Sequence, residues 1–443
     1  MFKQILVFLG ERLKGRSKII KNLSIFCACA VSVTALAATP PARPPEPRPL
    51  NALESLGEKI FNDPTLSVPS GTACVNCHQA KTGFSNLNGS RIGVPLGSLP
   101  NSFGSRNVMP NSYSSFAPPF SFRVIGSDVD PVGGLFWDGR ANTMAQQAQM
   151  PFLSEKEMNN KDAASVIAKI ASRPYAKQMS DLFGKEVFKN STTAFTRVGE
   201  AIAAFESTFH FQSFSSRYDS YVRGETKFTP VELNGMKLFM DPNKGNCASC
   251  HLMNPKSTKA GDNLFTDFAH YATGIPRNKL IPANANPSYF DLGLCGPQRT
   301  RPALTPNVPP SVTIEKFCGT FKMPSLRNAG ERQAFMHNGV FKNLREVVSF
   351  YATRNSDPKR WYGPLGQPND LPLAYLPNIV NDRAPFNRLA SAGPALTERE
   401  IDDVVAFLKT LTDTTLMGSA PAQNGVGISP FLTTAQPLQA PKP

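Results

Sequence analysis

Apolar residues recur at helical spacing in four stretches of the chain. Leu56, Gly57, Ile60 and Phe61 form one set, and Leu233, Gly235, Leu238 and Phe239 form a second with the same order of residue types. In both, Gly and Phe stand four residues apart, which places them on one helical face. Phe195, Val198, Ile202 and Phe205 predict a third helix, and Ile401, Val404, Val405 and Leu408 a fourth within Leu396 to Leu411. Thr397 and Glu400 have capping-box spacing at the start of the last one. Runs with strand period are few, and 40 prolines break the intervening segments into long loops. The pattern predicts a mainly α fold with long loops and little β, built from two similar units.

Each unit carries a short motif just after its first helix. The first reads Cys74-Val75-Asn76-Cys77-His78 and the second Cys247-Ala248-Ser249-Cys250-His251. Two thiols three apart can meet the two vinyl groups of one haem, with the following His below the iron. A redox CxxC has no use for that His twice over, and a zinc site needs a fourth ligand that neither motif supplies. The chain is therefore expected to carry two covalently attached c-type haems, with His78 and His251 as proximal iron ligands. The fold becomes two cytochrome c-like haem domains, at 51–224 and 225–413.

The N-terminus agrees with attachment outside the cytoplasm. Five Lys/Arg between Arg12 and Lys21 precede an apolar run from Leu23 to Leu36, and Ala35-Leu36-Ala37 gives a small-x-small pattern. Residues 1–38 read as a signal peptide cut near Ala37 or Ala38, with a retained anchor as the alternative and the only expected link to a membrane. A Pro-rich linker follows at 39–50, and a Pro/Ala/Gln-rich tail at 414–443 reads as disordered. The expected location is the periplasm. Losing the signal would remove +5 of the formal +14 charge and leave +9. That suits an acidic donor protein, while the absence of a basic stripe interleaved with aromatics argues against nucleic acid. Once signal and haem cysteines are set aside, Cys295 and Cys318 remain. In an oxidising compartment they are expected to pair; a free thiol pair or a metal site is the alternative.

A haem with two protein ligands only moves electrons, whereas one with an open position can bind peroxide. Besides the proximal pair the chain has His210, His270 and His337, and none lies between Cys74 and Trp137. His210 reads as a packed or surface residue near a helix end, and His270 as a loop residue.

The ordered set Leu135-Phe136-Trp137-Asp138-Gly139-Arg140-Ala141, Gln147-Ala148, Pro151, Glu157-Met158, Pro324-Ser325-Leu326-Arg327-Asn328 and Met336-His337-Asn338-Gly339, with the two haem motifs, resembles the bacterial dihaem cytochrome c peroxidases. The resemblance spans about residues 52–413 and is nearest the MauG-type branch. It implies that the first haem is peroxidatic and the second passes electrons. It implies that Trp137 relays between them, and that Gln147 and Glu157 lie over the open face of the first haem, Glu157 as acid/base. Many members carry a distal His upstream of the Trp motif, where this chain reads Gly97-Ser98-Leu99-Pro100-Asn101-Ser102-Phe103. A first haem that is open without reductive priming is therefore expected. Fourteen residues after His337, where better-known members place a Met ligand, stands Tyr351, as in the MauG-type branch; Met323 or Met336 is the alternative ligand. The resemblance also implies a calcium ion held by Asn107 and the carbonyls of Arg332 and Ala334.

Three functions are in play. One is reduction of hydrogen peroxide to water with electrons from a small donor protein, a cytochrome c or cupredoxin. Another is MauG-type oxidation of Trp or Tyr on a partner protein substrate. The third is a dihaem electron carrier without catalysis.

Overall fold

The structure is a computed structural model that describes residues 47–416. The expected signal peptide, most of the linker and residues 417–443 of the tail lie outside the described residues.

The first helix of the described residues is α1 (Ala52–Phe61), capped by Asn51, and the first CxxCH follows as the single turn α2 (Cys74–Cys77). After a loop and the hairpin β1 (Ser121–Ile125) and β2 (Asp128–Val132) come α3 (Met144–Leu153), α4 (Ala163–Ala171), α5 (Ala176–Phe183) and α6 (Ser191–Glu206). Then follow α7 (Arg217–Val222) and α8 (Pro230–Met240), and the second CxxCH as a 3₁₀ turn. The strands β3 (His270–Tyr271) and β4 (Phe321–Lys322) pair antiparallel, as do β1 and β2. The helices α9 (Leu344–Thr353), α10 (Pro358–Tyr362) and α11 (Glu398–Lys409) close the second half. Among the described residues helices dominate and both sheets are two-stranded.

Two apolar cores form, one within residues 56–211 and one within residues 218–411. The repeated glycines explain their shared geometry. α1 crosses α6 and α8 crosses α11 at near-contact of backbones. A Cβ on Gly57 would sit 2.0 Å from the Ala201 carbonyl oxygen, and one on Gly235 would sit 1.9 Å from that of Asp403. Only glycine permits either crossing. Phe61 and Phe239, four residues on, are both buried in the corresponding cores. The capping box at Thr397 and Glu400 is present. Within α11 the buried face is Ile401, Val404, Phe407 and Leu408; Val405 is only half-buried, so Phe407 takes the place expected for it.

The two halves are tied by buried charge. Arg106 bonds Asp138 at 2.7 Å and Asp291 at 2.7 Å, all three nearly sealed from water. Such a pair is costly to break from one side, because the remaining charge is left buried. Cys295 and Cys318 are joined by a disulfide. The loop they close packs Val308 and Phe317, with the adjoining Leu294, on Phe122 and Val129 of the hairpin. Thr414–Leu416 adds a 3₁₀ turn, with Thr414 Oγ1 donating to the Ser215 carbonyl. No helix among the described residues is long and apolar enough to cross a membrane.

Candidate functional site

Each CxxCH opens onto a cavity. The first is about 450 Å³ and is lined by Cys74, Cys77, His78, Trp137, Gln147 and Glu157. The second is about 180 Å³ and is lined by Cys247, Cys250, His251, Tyr351, Met323 and Met336. All the cofactor and catalytic residues read from the sequence thus gather at these two places. Trp137, Lys322 and Met323 line both cavities, so the Trp stands in the partition.

The two proximal histidines are oriented alike. His78 Nδ1 lies 3.0 Å from the Phe84 carbonyl, and His251 Nδ1 lies 2.9 Å from the Phe265 carbonyl. Donation from Nδ1 fixes the tautomer and leaves Nε2 as a lone-pair donor toward the cavity. Phe84 and Phe265 both take left-handed backbone, φ 57° and 53°, to present those carbonyls. An Nε2 aimed into a largely apolar cavity beside two thiols fits a c-type haem in each half.

The repeat continues on the other face. Leu135 pairs with Ala141 and Phe335 with Phe341 in matching β-bridges, and Phe136 and Met336 have φ 65° and 67°. Thr143 caps α3 and Asn343 caps α9. At a constant offset of two hundred residues, Trp137 corresponds to His337 and Pro151 to Tyr351. Trp137 is buried, and its Nε1 donates to the Asn107 carbonyl at 2.8 Å. His337 is buried and stacked on Phe321, with ring centroids 3.4 Å apart.

Glu157 lies in the turn after α3, half-buried at the edge of the first cavity. Burial raises its carboxyl above the usual range, while a hydrogen bond from Ser154 and the charge of Arg140 act against that. Gln147 lies on α3, also half-buried. Tyr351 lies on α9 with its phenol raised by burial, and its ring packs 5.1 Å from Phe386. His210 is exposed in a 3₁₀ turn. His270, expected in a loop, is in strand β3 and fully buried; its Nε2 is 3.0 Å from the Gly133 carbonyl, and burial lowers its pKa to about 3. Neither lines a cavity. Among the described residues His78 is the only imidazole on the first cavity wall.

Sequence reasoning missed Glu206, which also lines the first cavity. It is the last residue of α6, accepts from Asn111 Nδ2 at 2.7 Å, and is raised by burial to about 7. The signal was present, since Glu206 follows Ile202 by four and so falls on the apolar face. Lys322 was missed as well. It is buried in the partition, its Nζ donates to the Gly134 carbonyl at 2.7 Å, and burial lowers it to about 7.

The residues read as calcium ligands lie close together. Asn107 Nδ2 donates to the carbonyls of Ala334 at 3.0 Å and Met336 at 3.1 Å. Its Oδ1 is buried without a partner, and turning the amide over would aim that oxygen at the same two carbonyls. The Arg332 guanidinium donates to the Val108 carbonyl close by. Neutral oxygens without a carboxylate, next to a guanidinium, form a weak calcium cradle.

Known proteins place this geometry. The family described as di-haem cytochrome c peroxidase matches residues 51–227. The methylamine utilization protein MauG of Paracoccus denitrificans is 33% identical over 406 residues, covering 88% of this chain and 95% of that protein. The cytochrome c551 peroxidase of Nitrosomonas europaea is 27% identical over 327 residues, covering 72% of this chain and 79% of that one. The crystal structure of the diheme peroxidase BthA from Burkholderia thailandensis superposes with TM-score 0.76 at 37% identity, over 85% of this chain and 89% of the other. With two matching haem cradles and relatives that cover nearly its whole length, the chain belongs to the dihaem cytochrome c peroxidase family, in its MauG-like branch, and is a haem peroxidase.

Proposed function

We propose that the protein reduces hydrogen peroxide to water in the first cavity, using electrons that a small donor protein delivers by way of the second. The observation that carries this reading is the company of His78. Its Nε2 side faces a cavity that holds Glu157 and Gln147 and no second imidazole among the described residues. Cys74 and Cys77 would bind one haem covalently, and Cys247 and Cys250 the other. When bound, the haem iron supplies the electrons and the coordination site for cleaving the peroxide O–O bond.

The side chains supply the rest. Glu157, as carboxylate, takes the proton from the peroxide oxygen nearer His78 and returns it to the far oxygen, so that water leaves. Its raised pKa suits a group that must both accept and release a proton. Gln147 offers amide N–H donors that orient peroxide. Trp137, held by its bond to Asn107, keeps an aromatic ring between the cavities. Tyr351 is the ligand we assign to the second iron, and Asn107 with the carbonyls of Ala334 and Arg332 would hold calcium. We place the protein in the periplasm, a compartment in which the Cys295–Cys318 disulfide is stable.

The test is peroxide added to the all-ferric holoenzyme, followed by the haem bands. Rapid reaction without prior reduction is expected; reaction only after half-reduction would remove the open-haem assignment. Tyr351 also favours a second reading, MauG-type oxidation of Trp or Tyr on a partner, because a phenolate stabilises high oxidation states. A long-lived oxidised species in the absence of donor protein is its signature.

A further inference from the structure

Tyr113 forms part of the first cavity wall yet is only 2% exposed. Its phenol is built into a polar cluster that the peroxide reaction does not use. The hydroxyl donates to Asp413 Oδ2 at 2.7 Å and accepts from the Phe214 amide at 3.0 Å. Asp413 also accepts from Asn328 Nδ2 at 3.1 Å and from the Ser215 amide at 3.0 Å. Burial raises the Asp413 carboxyl above its ordinary range, while the charge of Arg327 and the hydrogen bonds from Tyr113 and Asn328 act to keep it ionised. The Arg327 guanidinium lies 4.9 Å from the Tyr113 ring and is paired with Asp219 at 2.8 Å. The charged groups facing the phenol are thus one cation and two carboxylates, a net negative surrounding.

We propose that Tyr113 is a redox-active tyrosine, a site where an oxidising equivalent left in the first cavity by peroxide comes to rest. This rests on the peroxidase reading, which supplies the oxidant, a peroxide-oxidised haem. In the step, one electron leaves the phenol and lowers the haem's oxidation level by one. The phenol O–H bond breaks, and its proton moves along the existing hydrogen bond to Asp413 Oδ2. The products are a neutral tyrosyl radical and a carboxylic acid.

Trp137 provides the contrast. Its N–H donates to a backbone carbonyl, which is no base, so an electron drawn from it has no proton partner and is quickly replaced. Tyr113 has a carboxylate in place, and the surplus negative charge favours loss of an electron. Its burial shields a radical from solvent.

The experiment is freeze-quench EPR of the all-ferric holoenzyme mixed with hydrogen peroxide and no donor protein, with the haem bands followed in parallel. Protein grown on ring-deuterated tyrosine should show a narrowed radical signal, which identifies tyrosine as its carrier. Tyr113→Phe should lose that signal while the haem bands still respond to peroxide. Asp413→Asn keeps an acceptor but removes the base, and should also lose it. A deuterium-insensitive signal, no radical at all, or a signal that persists in Tyr113→Phe overturns the assignment. The labelled wild-type protein tests for a tyrosyl carrier even where a variant folds poorly, and its failure to narrow overturns the assignment by itself. Haem bands that ignore peroxide would remove the oxidant and overturn both this proposal and the peroxidase reading; haem bands that respond without a tyrosyl signal overturn this one alone.

Discussion

Replacing Glu157 by Gln removes one proton site and little else. The amide has the same shape and can keep the hydrogen bond to Ser154. Positioned acid/base groups contribute about 10²- to 10⁴-fold, or roughly 3–5 kcal/mol of barrier at 1.36 per decade. The structure selects the low end. Glu157 is half-buried rather than sealed, and Ser154 and Arg140 both oppose the rise in its pKa. A loss of about 10²-fold in the rate of peroxide cleavage is therefore expected, measured by stopped flow on the all-ferric enzyme. The pH profile sharpens the test. The carboxylate is the active form for taking the peroxide proton, and burial raises its pKa. The rate should climb as pH rises through a value above the ordinary carboxylate range, and that limb should vanish in Glu157→Gln. Glu206 titrates at about 7 in the same cavity and could produce a similar limb. A limb that survives in Glu157→Gln and disappears in Glu206→Gln belongs to Glu206. Wild-type rate and an unchanged profile in Glu157→Gln would refute the proton-shuttle reasoning outright.

Other outcomes follow from the same geometry. Resting EPR should show one high-spin and one low-spin ferric haem; two low-spin haems would support the electron carrier. Tyr351→Phe should raise the second haem's reduction potential and change its low-spin spectrum, and an unchanged potential would point to Met323 or Met336, which line the same cavity. Gly235→Ala puts a Cβ 1.9 Å from a backbone oxygen that cannot swing aside. Overpacking of about 1–3 kcal/mol should exceed the roughly 1 kcal/mol of helix propensity gained, so denaturant unfolding should show a net loss; equal or greater stability would contradict the close crossing.

What the sequence made legible is what is local. CxxCH, the Gly–Phe spacing and the capping box are each written within a few residues, and each is found where the pattern placed it. The misses depend on distant partners. His270 looked like a loop residue because its strand is two residues long and its Nε2 partner, Gly133, is 137 positions away. The Arg106–Asp291 bond spans 185 positions, so neither residue announces its burial. Val405 and Phe407 fit a helical stripe about equally, and the close approach of α8 at Gly235 decides between them by seating Phe407. Glu206 was within reach of periodicity, but a carboxylate on an apolar face reads as a frayed end unless a cavity is known to lie there.

The internal repeat explains how one architecture can do two jobs. Matching bridges, matching positive-φ residues and matching helix caps put residue 151 and residue 351 at the same point of equivalent helices. Pro151 has no donor atom to offer a metal, and its ring lies inside a helix that ends two residues later. Tyr351 has a phenol oxygen, at the same distance from the end of its own helix. The same backbone therefore presents a hydrocarbon ring to the first cavity and a phenol to the second. The positions at 137 and 337 diverge in parallel. An indole anchored through its N–H lies in the partition, and an imidazole stacked on Phe321 lies on the far side. On the proposed reading, the divergence between 151 and 351 would leave the first iron site open to peroxide and give the second a side-chain ligand.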